Sequence, residues 1–158
     1  MQRITWHEFF MGVAKLASLR SRDPNTKVGA CIVKDNKIIA TGYNGMPRTC
    51  DEEGLPWDNT SNNILETKYP YVVHAEMNAI LNAPTTDLKG CSIYVTLFPC
   101  AECTKAILQS GITDVYFLED KHPLDDTYIA SRKMLILSDI HYERLDESDI
   151  SNFIKIGE

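Results

Sequence analysis

No stretch of this sequence is long and apolar enough to span a membrane; its hydrophobic runs fall far short of the roughly 20 residues a bilayer requires. The N-terminal segment MQRITWHEFF has neither an apolar signal core nor a small-residue cleavage pattern, so a cytoplasmic protein is expected. Positive charge is scarce. Sixteen Lys and Arg stand against 22 Asp and Glu, a net charge of −6. Proteins that live on nucleic acid draw much of their affinity from neutralised phosphates, so no nucleic-acid partner is expected. A small anionic substrate held by a few local cations remains open. Cysteine is odd in number, at Cys31, Cys50, Cys91, Cys100 and Cys103. With no route out of the cytoplasm, that argues against a disulfide framework. Repeats and low-complexity segments are absent.

The 158 residues fit one domain, 1–158, and a composition of 44% hydrophobic and 24% charged residues excludes a disordered chain. Thr5 and Glu8 read as a capping box. Trp6, Phe9, Phe10, Val13, Leu16 and Leu19 then recur at helical spacing, which predicts a helix over Thr5–Arg20. Val28–Val33 and Lys37–Tyr43 read as a hairpin about a turn at Lys34–Lys37. An irregular stretch follows, Asn44–Pro70, long enough to be functional. Helices are predicted at His74–Asn82, Cys100–Ser110 and Asp125–Leu137. They alternate with strands at Ser92–Leu97, Asp114–Leu118 and Ile140–Leu145, and Gly111 stops the third helix. The tail from Asp146 has no assignment. This order specifies an α/β fold with one mixed sheet covered by helices on both faces.

Two short patterns carry chemistry. His74-Ala75-Glu76 opens one predicted helix, and Pro99-Cys100-Ala101-Glu102-Cys103 opens the next. Alone, a Cys-x-x-Cys is also compatible with two buried cysteines or a redox pair, and a His-x-Glu alone says little. Together they read differently. Cys100 and Cys103 fall on one helical face at an N-terminus that favours thiolates. Two thiolates and a neutral imidazole balance Zn²⁺ and leave a fourth position for water, the pattern of a catalytic site rather than a closed structural one. Glu76 is the adjacent carboxylate that is not a ligand. His-x-Glu followed by Pro-Cys-x-x-Cys is the signature of zinc nucleobase deaminases. Cys31 and Cys91 read as core residues. Cys50 lacks nearby histidines for a second metal. His7 and His141 read as structural, and His122 follows a strand end where ligands collect.

The sequence resembles the deoxycytidylate deaminases from about Trp6 to Lys121. The likeness rests on Ser21-Arg22-Asp23-Pro24-Asn25-Thr26-Lys27-Val28-Gly29-Ala30, on Thr41-Gly42-Tyr43-Asn44-Gly45-Met46-Pro47 and on Leu55-Pro56-Trp57. It extends through Lys68-Tyr69-Pro70-Tyr71-Val72-Val73-His74-Ala75-Glu76 and Leu97-Phe98-Pro99-Cys100. The resemblance implies a cytidine-deaminase-like three-layer α/β/α sandwich with a five-stranded sheet. It implies hydrolysis of dCMP to dUMP and ammonia, with dUMP passing to thymidylate synthesis. It further implies one Zn²⁺ on His74, Cys100 and Cys103, with Glu76 as proton carrier, and a homohexamer activated by dCTP and inhibited by dTTP.

Other roles follow from the same likeness. The Ala75 N–H would donate to the pyrimidine O2, and Asn44 would hold the sugar 3′-hydroxyl, although on residues alone it reads as a turn asparagine. Leu97 and Phe98 would line the base pocket. A monophosphate needs cations or a backbone nest, for which Arg22, Asn25, Thr26, Lys27 and Lys121 are candidates and solvated surface charge the alternative reading. An effector triphosphate would meet Gly42, Asn44, Gly45 and Arg48, with Asp51, Glu52 and Glu53 as hard oxygen ligands for its Mg²⁺. Two other readings stay open: a deaminase of tRNA adenosine or single-stranded DNA, and a non-catalytic zinc or nucleotide-binding module.

Overall fold

The computed structural model describes residues 3–50 and 53–151. Helix α1 spans Trp6–Ser18, and its Thr5 cap accepts the Glu8 N–H at 3.1 Å while the Glu8 carboxylate accepts the Thr5 N–H. The helix ends two residues before the predicted Arg20. Leu19 caps it, with its N–H turned back to the carbonyls of Leu16 and Ala17. Strands β1 (Gly29–Lys34) and β2 (Lys37–Tyr43) form the hairpin. Asp35 and Asn36 both take positive φ, 51° and 59°, as the tight primed turns of hairpins require. Then follow α2 (Ala75–Asn82), β3 (Ser92–Leu97), α3 (Ala101–Ser110), β4 (Asp114–Glu119), α4 (Asp126–Ser138) and β5 (His141–Arg144). Gly111 terminates α3 at φ 90°, as its position in the sequence suggested. A short helix, α5 (Glu147–Ser151), closes the described chain where no element was expected.

The five strands form one mixed sheet in the order β2-β1-β3-β4-β5. β1 pairs antiparallel with both β2 and β3, and β3, β4 and β5 run parallel. Side chains alternate across the sheet. Ala30, Ile32, Ile93, Val95, Val115 and Phe117 face one core, shared with Ala75, Ala79, Ile107 and Leu135 from α2, α3 and α4. Cys31, Val33, Tyr94 and Leu118 face the other, shared with Phe10, Met11 and Ala14 of α1 and Ile150 of α5. Cys31 and Cys91 are core residues, as expected. His7 is structural too, its Nδ1 lying 2.8 Å from the Tyr94 hydroxyl.

The apolar stripe predicted for α1 is only partly buried. Trp6, Phe9, Leu16 and Leu19 are exposed, while Phe10, Met11 and Ala14 carry the contact. Gly29 shows why. A Cβ there would lie 1.8 Å from the Ala14 carbonyl oxygen, so the helix meets the sheet backbone-close along its small residues. Gly42 plays the same part for α2: its Cβ would fall 2.4 Å from the Ala75 oxygen and the Ala79 nitrogen. Two close approaches thus set both helices against the hairpin.

Candidate active site

The sheet delivers its chemistry at the carboxyl ends of its parallel strands, where open α/β folds bind ligands. β3 runs out through Leu97 and Phe98 to Cys100, the extended N-cap of α3. His74 is the extended N-cap of α2. Each helix is tied at its start: the Asn78 amide donates to the Tyr43 carbonyl at 2.7 Å, and Thr127 accepts the Ala101 N–H at 2.9 Å. Two helix N-termini therefore converge. They bring His74, Cys100 and Cys103 together, with one ligand atom of each within 4.8 Å of the others. His74 Nδ1 lies 3.4 Å from Cys100 Sγ and 3.5 Å from Cys103 Sγ.

The electrostatics suit a dication. The Cys100 thiol is lowered to about 4, first by its hydrogen bond with Cys103 and also by His74. Cys103 is pushed up, first by that shared hydrogen bond and then by burial. The His74 imidazole is raised, chiefly by its hydrogen bond to Cys100. Glu76, one residue into α2, is 4% exposed, and burial holds its carboxyl above the ordinary range. Two sulfur donors and one nitrogen donor on a shared focus fit a tetrahedral zinc site with one position left for a small ligand.

His74 and Cys100 of this cluster line a cleft of about 590 Å³, with Cys103 buried behind them. Of the residues singled out in the sequence, Thr26, Asn44, Ala75, Glu76, Leu97, Phe98, Lys121 and His122 line it as well. Phe98 is 1% exposed, packed edge-on against Phe117 with the Arg132 guanidinium 4.3 Å from its ring centre. Asn25 and Lys27 instead face an adjoining hollow of about 130 Å³ that shares Thr26 and Lys121 with the cleft. Asn44 is heavily engaged inside the protein. Its Oδ1 accepts the Val28 N–H at 2.8 Å, and its Nδ2 donates to the Thr26 carbonyl at 2.9 Å and to Asp23 at 3.4 Å. That leaves the second lone pair of Oδ1 for a ligand.

Sequence reasoning missed a buried polar set in the same wall. Asp23 Oδ1 accepts the N–H groups of Asn25 and Thr26 at 2.8 and 3.1 Å, and its Oδ2 accepts from Lys68 at 2.5 Å. The Asp-Pro-Asn-Thr run is a turn signal that could have revealed Asp23. Nothing local distinguishes Lys68. Tyr128 of α4 also lines the cleft, its hydroxyl raised to about 12, mainly by burial.

Residues 4–119 match the family model described as the cytidine and deoxycytidylate deaminase zinc-binding region. The chain belongs to that family. It is 51% identical over 142 residues to the deoxycytidylate deaminase of Homo sapiens, covering 89% of this chain and 80% of the human one. It is 38% identical over 129 residues to the deoxycytidylate deaminase of Mycobacterium phage D29, covering 74% and 97%. The dCMP deaminase of cyanophage S-TIM5, solved in complex with dCMP and dUMP, superposes with a TM-score of 0.70 at 27% identity, over 92% of this chain and 100% of that one. The sandwich expected from the resemblance is the fold observed, with α5 added.

A second cavity of about 450 Å³ adjoins the deaminase cleft and shares Asn44 with it. Arg20, Arg22, Tyr43, Gly45, Cys50, Glu53 and Trp57 complete its lining. Two of the residues expected to meet an effector are not in this lining. Gly42 is pressed against the backbone of α2, so its missing side chain serves helix packing. Arg48 is exposed and does not line the cavity. Arg20, unremarked in the sequence, does line it, with its guanidinium 5.6 Å from the Tyr43 ring centre. Asp51 and Glu52 lie outside the described residues.

Proposed function

We propose that this chain is a dCMP deaminase, converting dCMP and water to dUMP and ammonia. The convergence of His74, Cys100 and Cys103 beside the buried Glu76, in a cleft of nucleotide size, carries the reading. The names of the similar proteins and the nucleotides in the phage structure support it. His74, Cys100 and Cys103 would hold zinc, which supplies Lewis-acid activation of water near neutral pH.

The chain's own residues do the rest. Glu76 accepts a proton from the attacking water and places it on N3 of the ring as C4 is attacked; it then takes the proton of the hydroxyl now on C4 and delivers it to the amine, so that the C4–N bond breaks as the C4 carbonyl forms. Burial holds the Glu76 carboxyl above its ordinary range, which favours its taking up the proton of the attacking water. The Ala75 N–H, at the start of α2, is the donor for the pyrimidine O2. Leu97 and Phe98 form the apolar wall for the base. The free lone pair of Asn44 is the acceptor for a sugar hydroxyl. Thr26 and Lys121 are phosphate contacts, and Arg22, Asn25 and Lys27 lie outside the cleft lining. The product dUMP is the substrate of thymidylate synthesis, and no helix among the described residues is long and apolar enough to cross a membrane, which fits a cytoplasmic role.

The second cavity is the place for a triphosphate effector, with dCTP activating, dTTP inhibiting and Mg²⁺ accompanying either. Arg20 and Arg22 give it cations, and Asn44, standing in both linings, is the physical link to the substrate. A homohexamer would make the response sigmoidal. By linkage, dCTP tightens dCMP binding by the factor by which dCMP tightens dCTP. The test is ammonia release from dCMP, CMP, deoxycytidine and dCTP, then dCMP saturation curves with and without Mg²⁺-dCTP. Preference for dCMP, with a sigmoidal curve made hyperbolic by dCTP, is expected. Equal turnover of deoxycytidine points to a nucleoside deaminase, and a curve unmoved by either triphosphate removes the regulatory part.

A further inference from the structure

Lys68 is a buried cation in the wall of the cleft. Its side chain is 9% exposed, and that of its partner Asp23 is 1% exposed. The Asp23 carboxylate accepts from four donors: the N–H groups of Asn25 and Thr26, the Asn44 amide and the Lys68 ammonium. Its charge is therefore widely shared. The ammonium has three N–H donors, and among the described residues Asp23 is its one hydrogen-bond partner. A buried cation with a divided counter-charge favours a further acceptor, and an anion most strongly.

The geometry offers that acceptor from the ligand side. Lys68 lines the same cleft as His74 and Glu76. Its backbone is fixed beforehand, and Asp23 holds its ammonium. The Lys68 N–H donates to the Asp58 carbonyl at 3.0 Å, and the Lys68 carbonyl accepts the N–H groups of Tyr71 and Val72 at 3.0 and 2.9 Å. Ordering such a long side chain in advance lowers the entropy lost on binding. Lys121, the other lysine in the cleft lining, is a weaker candidate: it lies 3.1 Å from Glu119 and its side chain is 49% exposed, so solvent and the carboxylate both screen it.

We propose that Lys68 is the principal ligand for the 5′-phosphate of the substrate, held in place from behind by the Asp23 turn. This rests on the monophosphate reading above. The test compares dCMP with deoxycytidine in the zinc-loaded protein, in Lys68→Gln and in Lys68→Arg. Lys68→Gln is expected to lower kcat/KM for dCMP about 10- to 100-fold, mainly through KM, with deoxycytidine changed less than about twofold. Lys68→Arg regains part of the dCMP efficiency. Equal losses on both substrates mark an internal prop and overturn the proposal, as does no loss on either. Should Lys68→Gln fail to fold, the double variant Asp23→Asn/Lys68→Gln removes both charges while leaving the turn an acceptor. Retained preference for dCMP in that variant overturns the proposal as well. Calorimetric binding of dUMP against deoxyuridine reads the phosphate preference without turnover. If the unsubstituted protein releases no ammonia from dCMP, the functional reading fails, whereas a dUMP preference that is absent or survives Lys68→Gln overturns the Lys68 assignment.

Discussion

The two ends of the cleft are held by different kinds of structure. At one end, His74, Glu76, Cys100 and Cys103 sit on the first turns of α2 and α3, carried by regular elements packed on the sheet. At the other, Asp23, Thr26, Asn44 and Lys68 stand on irregular chain, and hydrogen bonds between them replace a secondary-structure frame. The first arrangement fixes reacting groups in a rigid geometry, as chemistry requires. The second gathers recognition groups from distant parts of the chain, so its geometry depends on a buried polar set remaining complete.

That difference can be broken most severely at the regular end. Cys103→Ser removes a sulfur donor from a three-residue cluster. Zinc per chain is expected to fall toward zero and deamination to vanish, measured by metal analysis and ammonia release. Cys31→Ala, altering a buried strand residue remote from the cluster, keeps its zinc. Glu76→Gln comes next: zinc is retained and turnover falls by about 10²–10⁴. A near-normal rate in that variant contradicts the proton-carrier role.

At the irregular end the same kind of change acts on stability first. Asp23→Ala leaves a buried ammonium without its carboxylate and frees two turn N–H groups. A loss of about 3–5 kcal/mol is expected in urea or thermal unfolding, with zinc retained. Gly42→Ala sharpens the contrast. Its Cβ would meet the α2 backbone at 2.4 Å, so about 1–3 kcal/mol is expected to be lost as that helix is displaced. Because α2 carries Glu76, turnover should fall with it, while the preference for dCMP over deoxycytidine stays unchanged.

The smallest expected effect is one of pH. Burial raises the Glu76 carboxyl above 4.5. The folded chain therefore keeps its proton at pH values where the unfolded chain has lost it, and stability declines as pH rises from 4.5 through the folded value. In chelator-treated protein, Glu76→Gln is expected to melt higher than the unsubstituted chain at pH 7 and to lose less stability across that window. A lower melting point at pH 7 contradicts the burial argument.

The same division decided what could be read from the sequence. Capping at Thr5, the Asp35-Asn36 turn, the Gly111 stop and the run from Ser92 to Leu97 are local signals, and each predicted element formed within a residue or two. The convergence of His74 with Cys100 and Cys103 was legible because each pattern lies within four residues and opens a helix. Lys68 was not legible, since its partner lies 45 positions away and a lone lysine in a polar loop has no periodicity to betray it. The packing role of Gly42 was not legible for a related reason: its neighbour is a helix more than thirty residues on, and only packing reveals why a side chain is excluded. Helix α5 escaped because its buried residue Ile150 follows Asp146, Glu147 and Asp149 in an acidic tail.

The most direct measurement is product analysis of the zinc-loaded protein with dCMP. Equimolar dUMP and ammonia are expected, with dCMP used far more efficiently than deoxycytidine, and no turnover after zinc is removed until zinc is restored. Absence of dUMP from zinc-replete, folded protein, or undiminished turnover in fully metal-free protein, contradicts the account.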